Sequence, residues 1–401
     1  MNSLELFNPL DPEFIADPYP YYRRVRDADH VYFHDVMDAH LVTRFDDVQA
    51  MLRDPGLGAV KERFFGNCPP GSDIDRVSES WLFFLDPPDH PRVRRLFTST
   101  FAPRRVESMR ETIRAVLDRR LDVLEREGGG DFIGTVAQDL PVAVICSMMG
   151  IPDMDLADCT RHSSAMVKLL DPLIDADQLA AAEQGAAWAL DYFGALVKER
   201  RANPADDLIS ALVQVNDREP ERLTDTELLN NIVFMFGAGH ETATGMLGNG
   251  LHALLTHPGQ WEALCADPEG RAPAVVAEVL RWDPPVQYFS RKVLREVEIG
   301  GRTIPEGASV MGLIGAANRD PAKFPDPDAF DVSRENVQSL SFGGGTHFCI
   351  GAMLARTEAE ISFRALAERF PGIRPAAEPR RRKMLAIRGY EEFQVEIGGI
   401  R

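Results

Sequence analysis

The sequence has few cysteines, and none of them is arranged as a pair. The five cysteines, Cys68, Cys146, Cys159, Cys265 and Cys349, are an odd number at wide and irregular spacing in 401 residues. This pattern excludes a disulfide framework and a CxxC zinc or redox pair. It is typical of a protein in a reducing compartment, so we predict a cytoplasmic location.

Long hydrophobic runs and excess positive charge are also missing. No segment reaches the roughly 18 consecutive apolar residues of a membrane span, and residues 1–22 lack the pattern of a signal peptide. Lys and Arg number 44 against 62 Asp and Glu, which gives a net charge of −18. Such a chain repels nucleic acid and anionic membranes at long range, so we predict neither a nucleic-acid partner nor a membrane anchor. We interpret the short basic cluster at residues 380–382 as a solvated turn.

The remaining composition is that of a globular protein, with 44% apolar residues. Because no Pro/Ser/Gly linker divides the chain, we expect one domain over residues 1–401. Helical periodicity dominates, and strand signals are short and do not alternate with helices, so a mainly α fold with small β-sheets is predicted. The predicted helices cover residues 103–127, 177–202, 272–282 and 349–370; the strand signals cover 31–34, 40–43, 297–304 and 310–317.

The longest predicted element covers residues 224–257. Thr224 and Glu227 form a capping-box pattern at its start, and Pro258 ends it. A helix of this length is the central strut of a large helical fold. Gly237 and Gly239 lie near its middle, where glycine costs about 1 kcal/mol relative to alanine. This departure from helix propensity indicates a functional opening in the helix.

A glycine-rich segment, residues 341–351 (SFGGGTHFCIG), precedes the predicted C-terminal helix and contains Cys349. The start of a helix presents unpaired N–H groups and positive potential, which favour a thiolate. Glycines allow the backbone to approach the sulfur closely. Taken alone, the segment fits a nucleophilic cysteine, a thiolate metal ligand or a buried structural cysteine.

The spacing of this segment matches F-G-x-G-x-H-x-C-x-G, which resembles the haem-binding loop of the cytochrome P-450 family. Three further segments resemble family motifs in the same order along the chain. The resemblance extends over residues 9–397, and a block at residues 86–95 is similar to soluble bacterial members. The segments are Ala238–Thr242 (the oxygen-activating part of the central helix), Glu278–Arg281 (E-x-x-R), and residues 318–334 (the meander).

The resemblance implies the cytochrome P-450 fold and a haem b cofactor, iron protoporphyrin IX, whose iron is bound by the thiolate of Cys349. Glu241 and Thr242 would relay protons for the activation of O2, with the helix widened at Gly237 and Gly239. Many members carry a second hydroxyl residue where this chain has Ala243, and we expect little consequence. The other implied haem contacts are Ala238, Phe342 and Gly343, with His90, Arg94, Arg291 and His347 as partners of the haem propionates.

The resemblance also assigns structural and substrate residues. Glu278, Arg281 and Arg334 are expected to form a buried ionic group, because i,i+3 residues share one helical face. A largely apolar substrate pocket is expected, in which Gln287 is a polar anchor; ordinary core packing is the alternative for each of its residues. The expected pocket residues are Trp81, Phe84, Phe234, Gly237, Val286, Gln287 and Phe289.

The implied reaction is monooxygenation of a small, largely apolar organic substrate, for which secondary metabolism is one setting. Electrons would come from NAD(P)H through ferredoxin reductase and ferredoxin. Arg92, Arg95, Arg104 and Arg105 form either a basic docking face for the ferredoxin or an ordinary solvated helix surface. Alternatives on the same fold are a peroxide-driven oxygenase and an oxidative coupling enzyme. An alternative of another class is a non-catalytic haem sensor.

Overall fold

The structure is a computed structural model that describes residues 3–59, 68–171 and 174–398. Most of these residues are helical, as the sequence predicts. The α-helices are Ser3–Leu6 (α1), Pro12–Ala16 (α2), Tyr19–Ala28 (α3), Phe45–Met51 (α4), Asp73–Ser78 (α5), Asp89–Thr98 (α6), Pro103–Ser108 (α7), Arg110–Glu127 (α8), Asp139–Met149 (α9), Leu156–Val167 (α10), Ala176–Ala202 (α11), Leu208–Arg218 (α12), Asp225–Thr256 (α13), Pro258–Ala266 (α14), Pro268–Trp282 (α15), Ile314–Ala317 (α16) and Ala352–Arg369 (α17). Within the described ranges, no helix combines the length and apolar character that a membrane crossing requires.

The strands are short, and they belong to four small sheets. They are Val31–His34 (β1), Ala39–Val42 (β2), Leu57–Gly58 (β3), Gly129–Asp131 (β4), Tyr288–Val293 (β5), Val297–Ile299 (β6), Arg302–Ile304 (β7), Ser309–Leu313 (β8), Ile373–Pro375 (β9), Arg380–Arg381 (β10), Tyr390–Glu392 (β11) and Gln394–Ile397 (β12). The largest sheet has the order β1-β2-β8-β5-β3, in which only β2 and β8 are parallel.

The chain divides into two compact units. The first contains residues 1–59, 117–137 and 242–401, and the second contains residues 60–116 and 138–241. Each unit is assembled from separate stretches of sequence, and helices α8 and α13 contribute residues to both. The single domain expected over residues 1–401 stays a prediction.

The sheets of the first unit form where apolar and polar residues alternate. In β5 the buried Tyr288 lies opposite Leu313 of β8, and Arg291 lies opposite Val310. The β6–β7 hairpin turns at Gly300 and Gly301, whose φ angles of 56° and 75° are in the left-handed region. Two consecutive left-handed residues match the hairpin that the glycine pair predicts.

A buried ionic group joins α15 to the segment before the cysteine loop. Arg281 donates to both carboxylate oxygens of Glu278, at 2.7 and 2.6 Å. Arg334 Nε lies 3.3 Å from Glu278 Oε1. Both Glu278 and Arg281 are fully buried. Removing one partner would strand a charge in the interior, which typically costs 3–5 kcal/mol, so the group is structural.

A second buried group contradicts the solvated turn predicted at residues 380–382. Arg381 turns inward and donates to Asp283 Oδ2 at 3.1 Å, while Arg388 Nε and the hydroxyl of Tyr19 donate to Asp283 Oδ1 at 2.7 Å. Burial alone would raise the pKa of Asp283, but the guanidinium groups of Arg388 and Arg381 hold it far below its usual range. The basic composition favoured a solvated turn, yet the buried carboxylate of Asp283 binds two arginines from the C-terminal part of the chain, Arg381 of β10 and Arg388 before β11.

The long helix α13 begins with the capping box that the sequence predicts. Thr224 N donates to Glu227 Oε2 at 2.9 Å, and Glu227 N donates to Thr224 Oγ1 at 3.1 Å. The helix has 32 residues, a length of about 48 Å. The helix is α-helical from Asp225 to Thr256, and the widening expected at Gly237 and Gly239 stays a prediction.

The two glycines of α13 permit close helix packing. A Cβ atom on Gly237 would lie 3.2 Å from Ser163 Oγ of α10, and one on Gly239 would lie 3.4 Å from the side chain of Ile145 of α9. These distances are at or inside van der Waals contact. The cost in helix propensity is therefore offset by the approach of two neighbouring helices.

A buried carboxyl on α17 generates a prediction about stability. Glu358 is buried, and the loss of hydration raises its pKa from 4.5 to about 8. The folded state thus favours the neutral acid, whereas the unfolded chain ionises above 4.5. Stability from this residue is fully present below that value and is lost as the pH rises toward about 8. In Glu358→Gln, unfolding free energy should fall less over this interval, by an amount on the order of a few kcal/mol.

The measurement is denaturant unfolding of the holoprotein at several pH values. Glu368→Gln, on the same helix but exposed and paired with Arg364, is the matched control and should keep the wild-type pH dependence. If Glu358→Gln and wild type lost stability in parallel, the neutral buried carboxyl would be disproved.

Candidate active site

Cys349 lies three residues before α17, in the loop of the first unit that the sequence singles out. Cys349 is exposed, and its backbone N donates to the carbonyl of Phe342 at 2.9 Å. This bond closes the loop, so the residues of the motif from Phe342 to Cys349 form one compact turn. Arg356 of α17 lies over the ring of Phe342 at 5.0 Å. The loop therefore has a defined shape, and the exposed cysteine is its last residue.

Polar side chains fix the start of this loop. Asn318 accepts a hydrogen bond from Leu340 N at 2.8 Å and donates to Ser341 Oγ at 2.9 Å. The Ser341 hydroxyl in turn donates to the carbonyl of Leu280 in α15. The meander and α15 thus hold the segment from which the cysteine loop departs. Sequence reasoning missed Asn318 and Ser341 as positioning residues, although both lie within its quoted motifs.

Two glycines of the loop adopt conformations that other residues rarely adopt. Gly343 has φ 73° and Gly345 has φ 61°. A Cβ atom on Gly345 would also lie 2.5 Å from the carbonyl oxygen of Leu52. The motif therefore requires glycine here for backbone geometry. The position of a Cβ on Gly343 would be 3.6 Å from the ring of Phe289, so this expected pocket residue packs on the cysteine loop.

Two expected propionate partners belong to the same unit. Arg291 lies on β5, is almost fully buried, and donates to the carbonyl of Ser290 at 3.0 Å. His347 is half-buried in the short 3-10 turn Gly345–His347. The unit therefore contains a buried guanidinium and an imidazole as well as the thiol.

These residues fit a haem group by their chemistry and exposure. A patch of exposed, large apolar side chains usually marks a binding site. Here Phe348 and Met353 are 46% and 38% exposed and lie one residue before and four residues after the exposed Cys349. A single thiol provides one metal ligand, and a porphyrin brings the remaining ones with an apolar surface. Cys349 would hold the iron, and Arg291 and His347 would bind the propionates.

The second unit contains the other part of the predicted site. Glu241 of α13 is 4% exposed, and Ser164 of α10 donates a hydrogen bond to its Oε1. The Nε2 atom of His240 lies 3.7 Å from the same oxygen, and the His240 Nδ1 is 3.0 Å from the carbonyl of Phe236. Thr242 follows Glu241 on the helix, is half-buried, and is the first residue of α13 that belongs to the first unit. Ser164 carries no sequence signal, so sequence reasoning could not identify it.

Ala238 lies where α13 has an open surface. Ala238 and Gly239 are exposed although Phe236 and His240 beside them are buried. A helix that exposes two residues between buried neighbours borders a cavity or solvent. Gly237 does not belong to this surface as expected, because its missing side chain faces α10.

The remaining expected propionate partners lie on α6. His90 is buried and Arg94 is half-buried, one helical turn apart. Their neighbour Arg92, one of the four arginines suggested for a ferredoxin docking face, instead makes contacts within the fold. It donates to Glu227 and to the carbonyl of Arg222, each at 3.0 Å. Arg92 therefore joins α6 to α13.

Three expected pocket residues form one aromatic cluster in the second unit. The rings of Trp81 and Phe84 are stacked with 6.0 Å between centroids and an angle of 9°. Phe234 of α13 lies 5.4 Å from Trp81, and Phe83, which sequence reasoning missed, lies 6.3 Å from Phe234. The rings of Phe83, Phe84 and Phe234 remain partly accessible.

Gln287 and Val286, two further expected pocket residues, differ in their surroundings: Gln287 is buried within the fold, and Val286 is half-buried. Gln287 is buried, accepts a hydrogen bond from Tyr22 at 2.8 Å and donates to the carbonyl of Pro284 at 2.6 Å. Its amide is therefore used within the fold, and the polar-anchor expectation is wrong. Val286 forms an isolated antiparallel bridge with Ile387.

Comparisons with known proteins show similarity over most of the chain. The family model of cytochrome P450 matches residues 61–267 and 272–383. The 6-deoxyerythronolide B hydroxylase of Saccharopolyspora erythraea is 35% identical over 90% of this chain and 91% of its own. The mycinamicin IV hydroxylase/epoxidase of Micromonospora griseorubida is 37% identical over 89% of each. The crystal structure of P450BioI in complex with hexadec-9Z-enoic acid ligated acyl carrier protein has a TM-score of 0.91 at 31% identity, covering 96% of this chain and 99% of that chain.

Gly345 provides a test of the loop geometry. Gly345→Ala combines a left-handed backbone with a close approach to Leu52 O, so we expect a loss of about 2–4 kcal/mol of stability. The loop should shift, and haem retention during purification should fall. The measurements are the ratio of Soret to protein absorbance and the unfolding midpoint.

Gly344→Ala is the matched control in the same loop. Gly344 has an extended backbone, with φ −164°, and its added Cβ would lie 3.2 Å from Leu52 Cβ, a longer approach than the 2.5 Å at Gly345. It should lose less haem and less stability than Gly345→Ala. Equal behaviour of the two variants would show that backbone conformation does not control the loop.

Proposed function

The chain belongs to the cytochrome P450 family and is a haem-dependent monooxygenase, and we propose that its substrate is a small, largely apolar product of secondary metabolism. The observation that carries the substrate class is the aromatic cluster of Trp81, Phe84 and Phe234. Partly accessible rings offer a large apolar contact area to a ligand. Relatives that hydroxylate 6-deoxyerythronolide B and mycinamicin IV support a substrate of this kind.

Bound haem would supply an iron that activates O2 when a thiolate holds it. We assign that ligand to Cys349, which is exposed at the end of its loop. Arg291, His347, His90 and Arg94 are the side chains assigned to the propionates. These side chains orient the cofactor, while the glycine turns of the loop keep the sulfur position fixed.

Proton delivery is assigned to the adjacent Glu241 and Thr242. The carboxylate of Glu241 accepts a proton, and the hydroxyl of Thr242 accepts it from there while donating its own onward. General acid–base groups of this kind typically contribute 10²–10⁴-fold to a rate. Burial of Glu241, with Ser164 as its hydrogen-bond donor, favours one orientation of the carboxylate.

Replacement of Thr242 tests the relay. Thr242→Ala removes the hydroxyl without adding volume, so NAD(P)H consumption should continue while product falls about tenfold or more. The missing electrons should be recovered as hydrogen peroxide. The assay measures NAD(P)H, product and peroxide together, with a substrate found by a spin-shift screen over terpenoids, polyketides, peptides and fatty acids.

Thr256→Ala is the control, because Thr256 is exposed at the end of the same helix, and its hydroxyl contacts only the carbonyls of His252 and Ala253 and the ring of His257 among the contacts described. It should keep wild-type coupling. Unchanged coupling in Thr242→Ala would remove this residue from the relay. Wild-type turnover supported by peroxide alone, and not by O2 with an electron donor, would favour the peroxide-driven alternative.

We further propose that the electron donor is a small acidic ferredoxin, itself reduced from NAD(P)H by ferredoxin reductase in the cytoplasm. Arg95 of α6 and Arg104 of α7 are exposed. Arg105 of α7 lies 3.7 Å from the exposed Asp206. On a chain of net charge −18, a local basic face gives an acidic partner an orientation for encounter. Arg92, which pairs with Glu227, is no longer part of this face.

Charge reversal tests the docking face. The double variant Arg95→Glu/Arg104→Glu should slow electron transfer from a plant- or bacterial-type ferredoxin about tenfold at low ionic strength, and salt should diminish the difference. Lys198→Glu changes an exposed cation on α11 and should have a smaller effect. Equal slowing in both proteins would indicate a response to net charge and would disprove a specific face.

A further inference from the structure

The first turns of α13 collect contacts from residues 76–92. Glu227 pairs with Arg92, and Asn230 donates to the carbonyl of Arg76 at 2.9 Å and to Ser80 Oγ at 3.0 Å. Phe234 receives the rings of Trp81 and Phe83. These contacts all belong to the second unit.

Asn231 makes the densest set of these contacts. Its Oδ1 accepts a hydrogen bond from Leu82 N at 2.7 Å, and its Nδ2 donates to Ser80 O at 2.8 Å and to Glu227 O at 2.9 Å. The side chain is fully buried. A buried amide is costly unless it is hydrogen-bonded, and asparagine is a poor helix former. Both costs are offset here by bonds to the backbone of the segment 80–84.

The two bonds to Ser80 and Leu82 enclose Trp81. The backbone is therefore held to α13 on each side of this residue, which limits the positions available to its indole ring. Trp81 then stacks on Phe84 and packs on Phe234, one turn beyond Asn231. The order of the aromatic cluster thus depends on the amide of Asn231.

Helical geometry connects this clamp to the predicted reaction centre. Glu227, Asn231, Phe234, Ala238 and Glu241 are spaced by four, three, four and three residues. At 3.6 residues per turn, these positions lie within one face of α13. The clamp thus fixes the aromatic cluster along the same helix face that continues to Ala238 and Glu241.

We propose that Asn231 is a specificity-determining positioning residue, which holds segment 80–84 on α13 so that its aromatic rings form a rigid wall for apolar, ring-containing substrates. A preorganised wall favours rigid ligands, because little side-chain freedom is lost when they bind. A flexible acyl chain can adapt to a displaced wall and depends on it less. This inference rests on the proposed pocket, but the clamp is measurable without it.

Hydrogen exchange of the Leu82 amide measures the clamp directly. In Asn231→Ala, the Leu82 N–H loses its acceptor, and its exchange should accelerate about tenfold or more. Asn230→Ala is the matched control, because it removes only the bonds to Arg76 O and Ser80 Oγ. It should leave Leu82 exchange near wild type. Unchanged exchange in Asn231→Ala would overturn the clamp.

Optical titration of the holoprotein tests specificity, with econazole as the ring-containing probe and myristic acid as the flexible probe. Asn231→Ala should weaken econazole binding about tenfold relative to myristic acid. Trp81→Leu keeps the clamp but removes a ring, so it should weaken econazole binding with Leu82 exchange unchanged.

If Trp81→Leu changes selectivity and Asn231→Ala does not, the inference fails while the pocket stands. If neither changes selectivity, the pocket assignment itself is wrong. If Asn231→Ala does not fold, Asn231→Asp replaces it. This variant keeps the acceptor for Leu82 N but loses the donor to Ser80 O, so Leu82 exchange should stay near wild type and the loss of selectivity should be smaller.

Discussion

The continuous helix α13 is the constraint on which the described site depends. An unbroken α-helix fixes the angle and rise of each residue, so contacts made at one end determine the orientation of residues many turns away. The bonds of Glu227 and Asn231 set the rotation of the helix relative to residues 80–92. Glu241 then emerges on the same face, two turns beyond Phe234.

Polar groups in the interior fix segments that apolar packing alone would leave adjustable. Hydrophobic contacts are non-directional, whereas a saturated hydrogen-bond group specifies one register. Glu278 and Arg281 hold the meander, Asn318 holds the start of the cysteine loop, and Asn231 holds segment 80–84. Each of these groups lies beside a segment that carries expected site residues. Buried polar side chains therefore determine the positions of the segments that carry the expected site residues, and the apolar core supplies most of the stability.

Patterns local in sequence were predictable, and side-chain directions were not. Periodicity and capping residues gave α13 within one residue at each end, and the glycine spacing identified the Cys349 loop, because both are determined by local backbone chemistry. The helix predicted over residues 103–127 is instead interrupted at Met109. Gln287 and Gly237 were assigned to the pocket by position, but their partners, Tyr22 and α10, are remote in sequence. Ser164 illustrates the same limit, since a serine becomes informative only when its acceptor is known.

The two reactive residues of the proposed chemistry require opposite environments. A thiol that binds a metal brought by a large cofactor has to remain accessible, and Cys349 is exposed at the end of a rigid loop. A carboxyl that moves protons has to be shielded from bulk water, or protons would exchange with solvent instead of following one route. Glu241 meets this requirement through burial and through its bond to Ser164. Because Ser164 lies on α10, the orientation of the carboxyl depends on how closely α10 packs against Gly237. A side chain at position 237 would push α10 away and displace Ser164 from Glu241.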